Sequence, residues 1–272
     1  MSKRLCLPLL VLRQDRRIIT LNFILKDVPG TLAKIFNIIY VKNINVIGCI
    51  TSATPEESGG IFCAVYLDIT DVPASELRNL LNDLKSLEEV YYVDYNEFDM
   101  NSAGSAAFSQ YYEELCITNE RAVIFTHAHL KGLFNGLYEK FKEGASVFLY
   151  HLGLTVGEFL ANTYKPLLEL NVTPKTLLEL ALQTGKAFGW FSKYELDVIS
   201  KDEYRIKIWN SVECSFLSGV VNGPAGNLRR GILAGYLSRL FGGEWIVNEV
   251  ECVNAGNERC TFHAKKEKPA SS

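Results

Sequence analysis

The hydrophobic period of the first hundred residues switches back and forth between two and about 3.6, and that order limits the fold more than any single motif. Ile18 to Leu25 (IITLNFIL) reads as a strand. Asp27-Val28-Pro29-Gly30 is a turn. Thr31 to Tyr40 then places Leu32, Ile35 and Ile39 at helical spacing, with Phe36 widening the apolar face. Asn45 to Thr51 is a second strand, ATPEESGG (Ala53 to Gly60) a polar hairpin connection, and Ile61 to Ile69 a third strand. Pro73 sits in the first turn of a helix that runs through Leu87. Val90 to Tyr95 is a fourth strand. The order βαββαβ predicts a four-stranded antiparallel sheet with two helices on one face, a ferredoxin-like arrangement.

Leu5 to Leu12 (LCLPLLVL) contains Pro8 and runs into Arg13, Asp15, Arg16 and Arg17 without a small-residue cleavage pattern. It is expected as a further strand rather than a signal peptide. NSAGSAA (Asn101 to Ala107) is small and polar and reads as a linker. It divides the chain into a first domain over residues 1–100 and a second over 101–272.

The second half opens with helices. Leu130, Leu133, Phe134, Leu137 and Phe141 form an apolar stripe, Ser146 to Leu160 continues with glycines at 153 and 157, and Thr173 to Phe188 is a helix begun by Pro174. Tyr194, Leu196 and Val198 alternate against Tyr204, Ile206 and Ile208 around SKDE, which is a hairpin. Gly226 to Gly243 is a helix with Gly231 and Gly235 on one face, which admits a very close neighbour; the sheet is the expected one. Trp245 to Glu251 and Thr261 to Ala264 form a last hairpin. This second domain is expected to be a larger α+β fold, with an antiparallel sheet and helices.

Seven cysteines without closely spaced pairs point to a reduced, cytoplasmic setting. A net charge of −3 and the lack of a basic stripe argue against direct nucleic-acid binding. No segment is expected to span a membrane. The chemistry concentrates in the last hairpin, NEVECVNAGNERC (Asn248 to Cys260). Cys252 and Cys260 bracket a loop containing Asn254, Gly256 and Asn257, with Glu249 three residues ahead of Cys252. By spacing alone the pair reads as a metal site, a disulfide, or two core cysteines. Glu251 rivals Glu249 as a metal ligand. Because a strand alternates sides, Glu249 and Cys252 converge only if the strand end twists or bulges. His127 and His129 resemble a ligand pair, but at a helix start they are expected to be solvated or satisfied by the core.

Two family resemblances add to this reading. LKDVPGTLAKIFNII, within the βαββαβ order of residues 18–98, resembles an ACT domain. That resemblance implies a regulatory module, a homodimer, and an amino acid bound near the first turn, with Gly30 as the binding residue. Glycine there lets a carboxylate approach the free N–H groups of the following helix.

GILAGYLSRLFGGEWIVNEVECVNAGNERCTF resembles the end of the 4-vinyl reductase-like small-molecule-binding domain. This family includes XylR-type and phenol-responsive sensors and an accessory protein of bacteriochlorophyll synthesis. Its fold is shared with subunits of a vesicle-tethering complex. NSVEC (Asn210 to Cys214) is similar to the family's Ser-x-Glu segment. The resemblance implies a structural zinc held by Glu249, Cys252 and Cys260. The family's remaining cysteine falls in register with Gly226, so the fourth ligand here is Cys214, His263 or water. It further implies an apolar or aromatic ligand lined by Trp190, Trp209 and Tyr150, near Phe148, Phe188 and Phe191. Signalling would then pass to a downstream protein partner, since no helix-turn-helix or ATPase segment is read in this sequence. No nicotinamide or flavin fingerprint is present, so a regulator is expected rather than an enzyme. The alternative is an enzyme or accessory factor acting on a tetrapyrrole or hydrocarbon.

Overall fold

In the first unit, strand and helix signals become elements within a few residues of where the sequence puts them. The computed structural model describes residues 6–53, 60–100, 104–109, 114–117, 120–170 and 172–267. It separates into two units, Met1–Val123 and Ile124–Ser272. The first holds β1 (Leu10–Arg13), β2 (Ile18–Lys26), α1 (Thr31–Val41), β3 (Asn45–Ala53), β4 (Gly60–Asp68), α2 (Ala74–Lys85) and β5 (Val90–Asn96), then β6 (Phe98–Asp99) and β7 (Ser105–Phe108). A short ladder, β8 (Cys116–Ile117) with β9 (Glu120–Arg121), ends it. The main sheet has the order β3-β4-β2-β5, antiparallel throughout. Ile19, Leu21, Phe23 and Leu25 of β2 pack with Ile35 and Ile39 of α1 and Leu77, Leu80 and Leu84 of α2. This is the ferredoxin-like arrangement.

The other face of β2 is buried as well. Ile18, Thr20 and Asn22 have no exposed surface. β1, β7 and β6 form a second sheet, and Ala107 of β7 packs with Ile18, Ala64 and Tyr66. Burial on both faces explains why β2 reads as a nearly continuous apolar run. It also corrects the linker reading of NSAGSAA. Residues 101–103 lie outside the described residues, but Ser105–Phe108 is a strand. Its small side chains let it lie close against β2, and the Ser105 hydroxyl accepts the Ile18 N–H at 2.6 Å. The hairpin connection read at residues 53–60 lies almost wholly outside the described residues.

The second unit contains α3 (His127–Phe141), α4 (Gly144–Tyr164), α5 (Pro174–Ala187), β10 (Lys193–Ser200), β11 (Glu203–Trp209), the one-turn α6 (Val212–Phe216), α7 (Asn227–Phe241), β12 (Trp245–Glu251) and β13 (Cys260–Lys266). Its sheet has the antiparallel order β10-β11-β13-β12. Thr173 caps α5 by accepting the Thr176 N–H, with Pro174 in the first helical position, as the sequence pattern requires.

The close neighbour of the small-residue face of α7 is α4, not the sheet. A Cβ built on Gly231 would lie 2.0 Å from the Tyr150 carbonyl oxygen, and one on Gly157 2.2 Å from the Ile232 carbonyl oxygen. Gly153 and Gly235 meet the opposite helix just as closely. The two backbones touch because none of the four glycines has a side chain, a spacing familiar from small-xxx-small helix pairs. This packing also bears on the membrane expectation. Gly144–Leu170 is long and apolar enough to cross a membrane by length and composition, contrary to the sequence reading, although the core helix of a globular domain passes the same test.

Candidate metal centre

The last hairpin bends where the two candidate ligands need it to. Glu249 pairs with Phe262 and Glu251 with Thr261, so β12 carries a bulge at Val250. The bulge resets the alternation and turns Glu249 and Cys252 to the same side. Beyond it, Val253–Ala255 forms a single 3-10 turn, and Gly256 adopts φ 88°. The Cys252 carbonyl accepts the N–H groups of Ala255 and Asn257, and Asn257 Oδ1 accepts the Cys252 N–H. These bonds shape the polar loop and present both thiols inward.

Cys214 completes the group. It sits on α6 rather than at a strand end, and Asn254 Nδ2 ties its carbonyl to the hairpin loop at 3.1 Å. The three sulfurs form a triangle with sides of 3.4, 3.8 and 3.9 Å. Glu249 Oε1 lies 3.7 Å from Cys214 Sγ. All four ligand atoms lie within 4.8 Å of one another. The cysteines are free thiols with no exposed surface, and Glu249 is 8% exposed. Zinc–sulfur bonds of about 2.3 Å in a tetrahedron place sulfurs about 3.8 Å apart, close to the observed triangle. Three thiolates and a carboxylate are a donor set suited to zinc.

Burial and mutual contact shift the proton affinities within the cluster in opposite directions. Hydrogen bonds to Cys252 and Cys260, with burial, push the Cys214 thiol far above its ordinary range. The same sulfur contacts pull Cys252 down. Burial raises Glu249 to about 7, although the Gly226 N–H donates to its Oε2 at 2.8 Å. A divalent ion would convert these groups into a neutralised ligand set.

The rival ligands are engaged elsewhere. The Glu251 carboxylate accepts the Thr261 hydroxyl at 2.5 Å and faces Arg259. His263 Nε2 lies 2.7 Å from Glu203 Oε1. Gly226 supplies a backbone N–H to Glu249 and has no room for more: a Cβ there would lie 2.9 Å from Phe262 Cζ and 3.2 Å from Glu249 Oε1. One supporting residue is the glutamate of the Ser-x-Glu segment, whose role the sequence left open. Glu213 is buried, and its carboxylate accepts the N–H groups of Leu228 and Arg229 at 2.7 and 3.0 Å, fastening α6 to the start of α7. Burial raises it to about 7. Its sequence signals were the Ser-x-Glu resemblance of NSVEC and its place directly beside a core cysteine.

Residues 205–266, from β11 through β13, match the V4R domain family and include all four clustered residues. The uncharacterized protein MJ1460 of Methanocaldococcus jannaschii is 30% identical over 141 residues, covering 48% of this chain and 73% of that protein. The chain belongs to the V4R domain family. A second uncharacterized protein of the same organism, MJ1642, is 28% identical over 80 residues, and the match spans 28% of this chain and about half (49%) of that relative. Among solved structures, the phenol-responsive sensory domain of the transcription activator PoxR, solved with phenol, aligns with a TM-score of 0.53 at 18% identity. That alignment covers 58% of this chain and 83% of that one, and shows a shared fold.

The remaining candidate residues are dispersed. In the V4R half, the Trp209 ring lies under Lys193 Nζ (4.1 Å) and near Arg259 (5.6 Å), Trp190 lies near Arg229 (5.6 Å), and Tyr150 near Arg230 (5.2 Å). Each ring therefore faces a different cation. His129 folds back to the Thr126 N–H, and the His127 ring packs on Phe216 at 4.5 Å. Gly30, in the first unit, caps α1 with φ 93° and has open space beside it.

Proposed function

We propose that this protein is a small-molecule-responsive regulator whose V4R domain is locked by one structural zinc bound to Cys214, Glu249, Cys252 and Cys260. The sulfur triangle carries the reading, because its sides match a tetrahedral zinc site without rearrangement. The fold shared with a phenol-responsive sensory domain supports the sensing role. In the first unit, the open helix start at Gly30 supports an ACT-like role, with an amino-acid carboxylate received by the N–H groups of α1. A homodimer is supported by the exposed apolar stripe of Phe148, Leu152, Val156 and Phe159 on α4. The protein acts in the cytoplasm, where reducing conditions keep the thiolates available to zinc. Its output passes to a partner protein.

Isothermal titration of the full chain with a panel of amino acids and small aromatics, joined to profiling of co-purified metabolites, tests the role. At least one ligand is expected to bind saturably. A chain that binds none of them and retains no metabolite would refute the regulator reading.

A further inference from the structure

A cavity of about 770 Å³ opens in the second unit where α3 runs into α4 and the 220–227 loop folds over them. This volume falls in the range of small-molecule sites. Its floor is polar and buried: Tyr138 is 9% and Asn227 8% exposed. Asn227 is engaged through both ends of its amide. Its Nδ2 donates to the Tyr138 oxygen at 3.2 Å, and its Oδ1 accepts from Arg230 Nη1 at 3.2 Å. Tyr138 therefore has its own O–H proton left to give, with no acceptor for it among the described residues. One turn earlier on the same helix face, Asn135 lines the cavity, and its Oδ1 is buried without a partner. The terminal torsion of an amide is soft, so Asn135 can turn toward the cavity at little cost. Val221 and Pro224 supply an apolar wall.

An unused donor beside an unused acceptor is unfavourable in a buried wall unless something pairs with both. The charged lining side chains belong to exposed residues, so the floor itself is neutral. We infer that this cavity binds a neutral planar molecule with a lactam or primary-amide edge. Its carbonyl accepts the Tyr138 O–H, its N–H donates to Asn135 Oδ1, and its ring face lies on Val221 and Pro224. Asn227 directly follows Gly226, whose N–H holds Glu249, so occupancy here bears on the start of α7 and on the metal cluster. The inference rests on reading this half as a ligand-binding domain and assigns that domain a site.

The test is isothermal titration of the full chain with uracil and nicotinamide as amide-edged probes and phenol as a comparator. Wild-type protein is expected to bind at least one amide-edged probe. Tyr138→Phe should weaken it about three- to tenfold, the loss of one hydrogen bond. Asn222→Trp alters an exposed residue of the lining, leaves the floor intact, and should weaken binding by crowding the cavity. Failure of both amide-edged probes, or binding that is unchanged in both variants, would overturn the assignment. Phenol binding that ignores both substitutions while the amide-edged probes fail would remove this site and leave the ligand-binding reading of the domain standing.

Discussion

Replacing Gly231 with alanine tests the helix pair behind the metal centre, and its cost can be worked from the backbone. The added Cβ would sit 2.0 Å from the Tyr150 carbonyl oxygen, 2.8 Å from the Leu154 nitrogen and 2.9 Å from the Gly153 Cα. Ordinary contact begins near 3.4 Å, so α4 and α7 must separate by more than an ångström. All three obstacles belong to backbone, and no side chain can swing aside. Overpacking of this kind costs about 1–3 kcal/mol, and parting the helices forfeits further dispersion contacts along their length. Alanine recovers about 1 kcal/mol of helix propensity over glycine. The net expectation is a loss of about 2 kcal/mol. Gly136 on α3 is the control, because nothing lies within 4 Å of its built Cβ. There the same substitution should stabilise by about 0.5–1 kcal/mol. Trp190, Trp209 and Trp245 all lie in the second unit, so tryptophan fluorescence during urea unfolding reports that unit alone. Metal content must be held equal across the proteins, since bound metal adds to apparent stability. Equal stability of Gly231→Ala and wild type would refute the close-contact reasoning, as would a loss at Gly136 as large as that at Gly231.

Other expectations follow from individual contacts. Glu213→Gln keeps the size of the side chain but replaces one of two accepting oxygens with an NH2 group, leaving the Leu228 or Arg229 N–H unpaired; urea unfolding should show a loss of about 1–3 kcal/mol. Glu251→Gln should leave metal content unchanged by elemental analysis, because that carboxylate serves Thr261 and Arg259, whereas Glu249→Gln should weaken metal retention against a graded chelator. Gly30→Ala forces a side chain into positive φ and should cost about 1 kcal/mol, read as faster amide exchange across α1 and β2.

The sequence carried the first unit's core well, because each strand and helix there buries a face with its own period. Its second sheet was hidden for the same reason that it exists. Ser105, Ala106 and Ala107 are small because they lie flat against β2, and small polar residues read as a linker. At the metal centre, Glu249, Cys252 and Cys260 were legible from spacing and resemblance, and the need for a bulge followed from strand alternation alone. The position of Cys214 was not legible. A one-turn helix placed by Asn210 at φ 54° and by the Glu213 carboxylate carries it under the hairpin, and neither device has a period to detect. Trp190, Trp209 and Tyr150 each lie against a lysine or arginine, pairings set by the tertiary fold that no sequence period announces. The Gly153–Gly157 and Gly231–Gly235 pairs were visible as motifs, but which helix each would meet was not.

The most direct measurement is native mass spectrometry of untagged protein, purified reduced and without added metal, beside its Cys214→Ser variant. One zinc per chain in the wild type, with loss of that mass under chelator and weakened retention in Cys214→Ser, is the expected result. Wild-type protein that carries no metal, takes up none when reduced and supplied with zinc, and unfolds identically with and without chelator would contradict it.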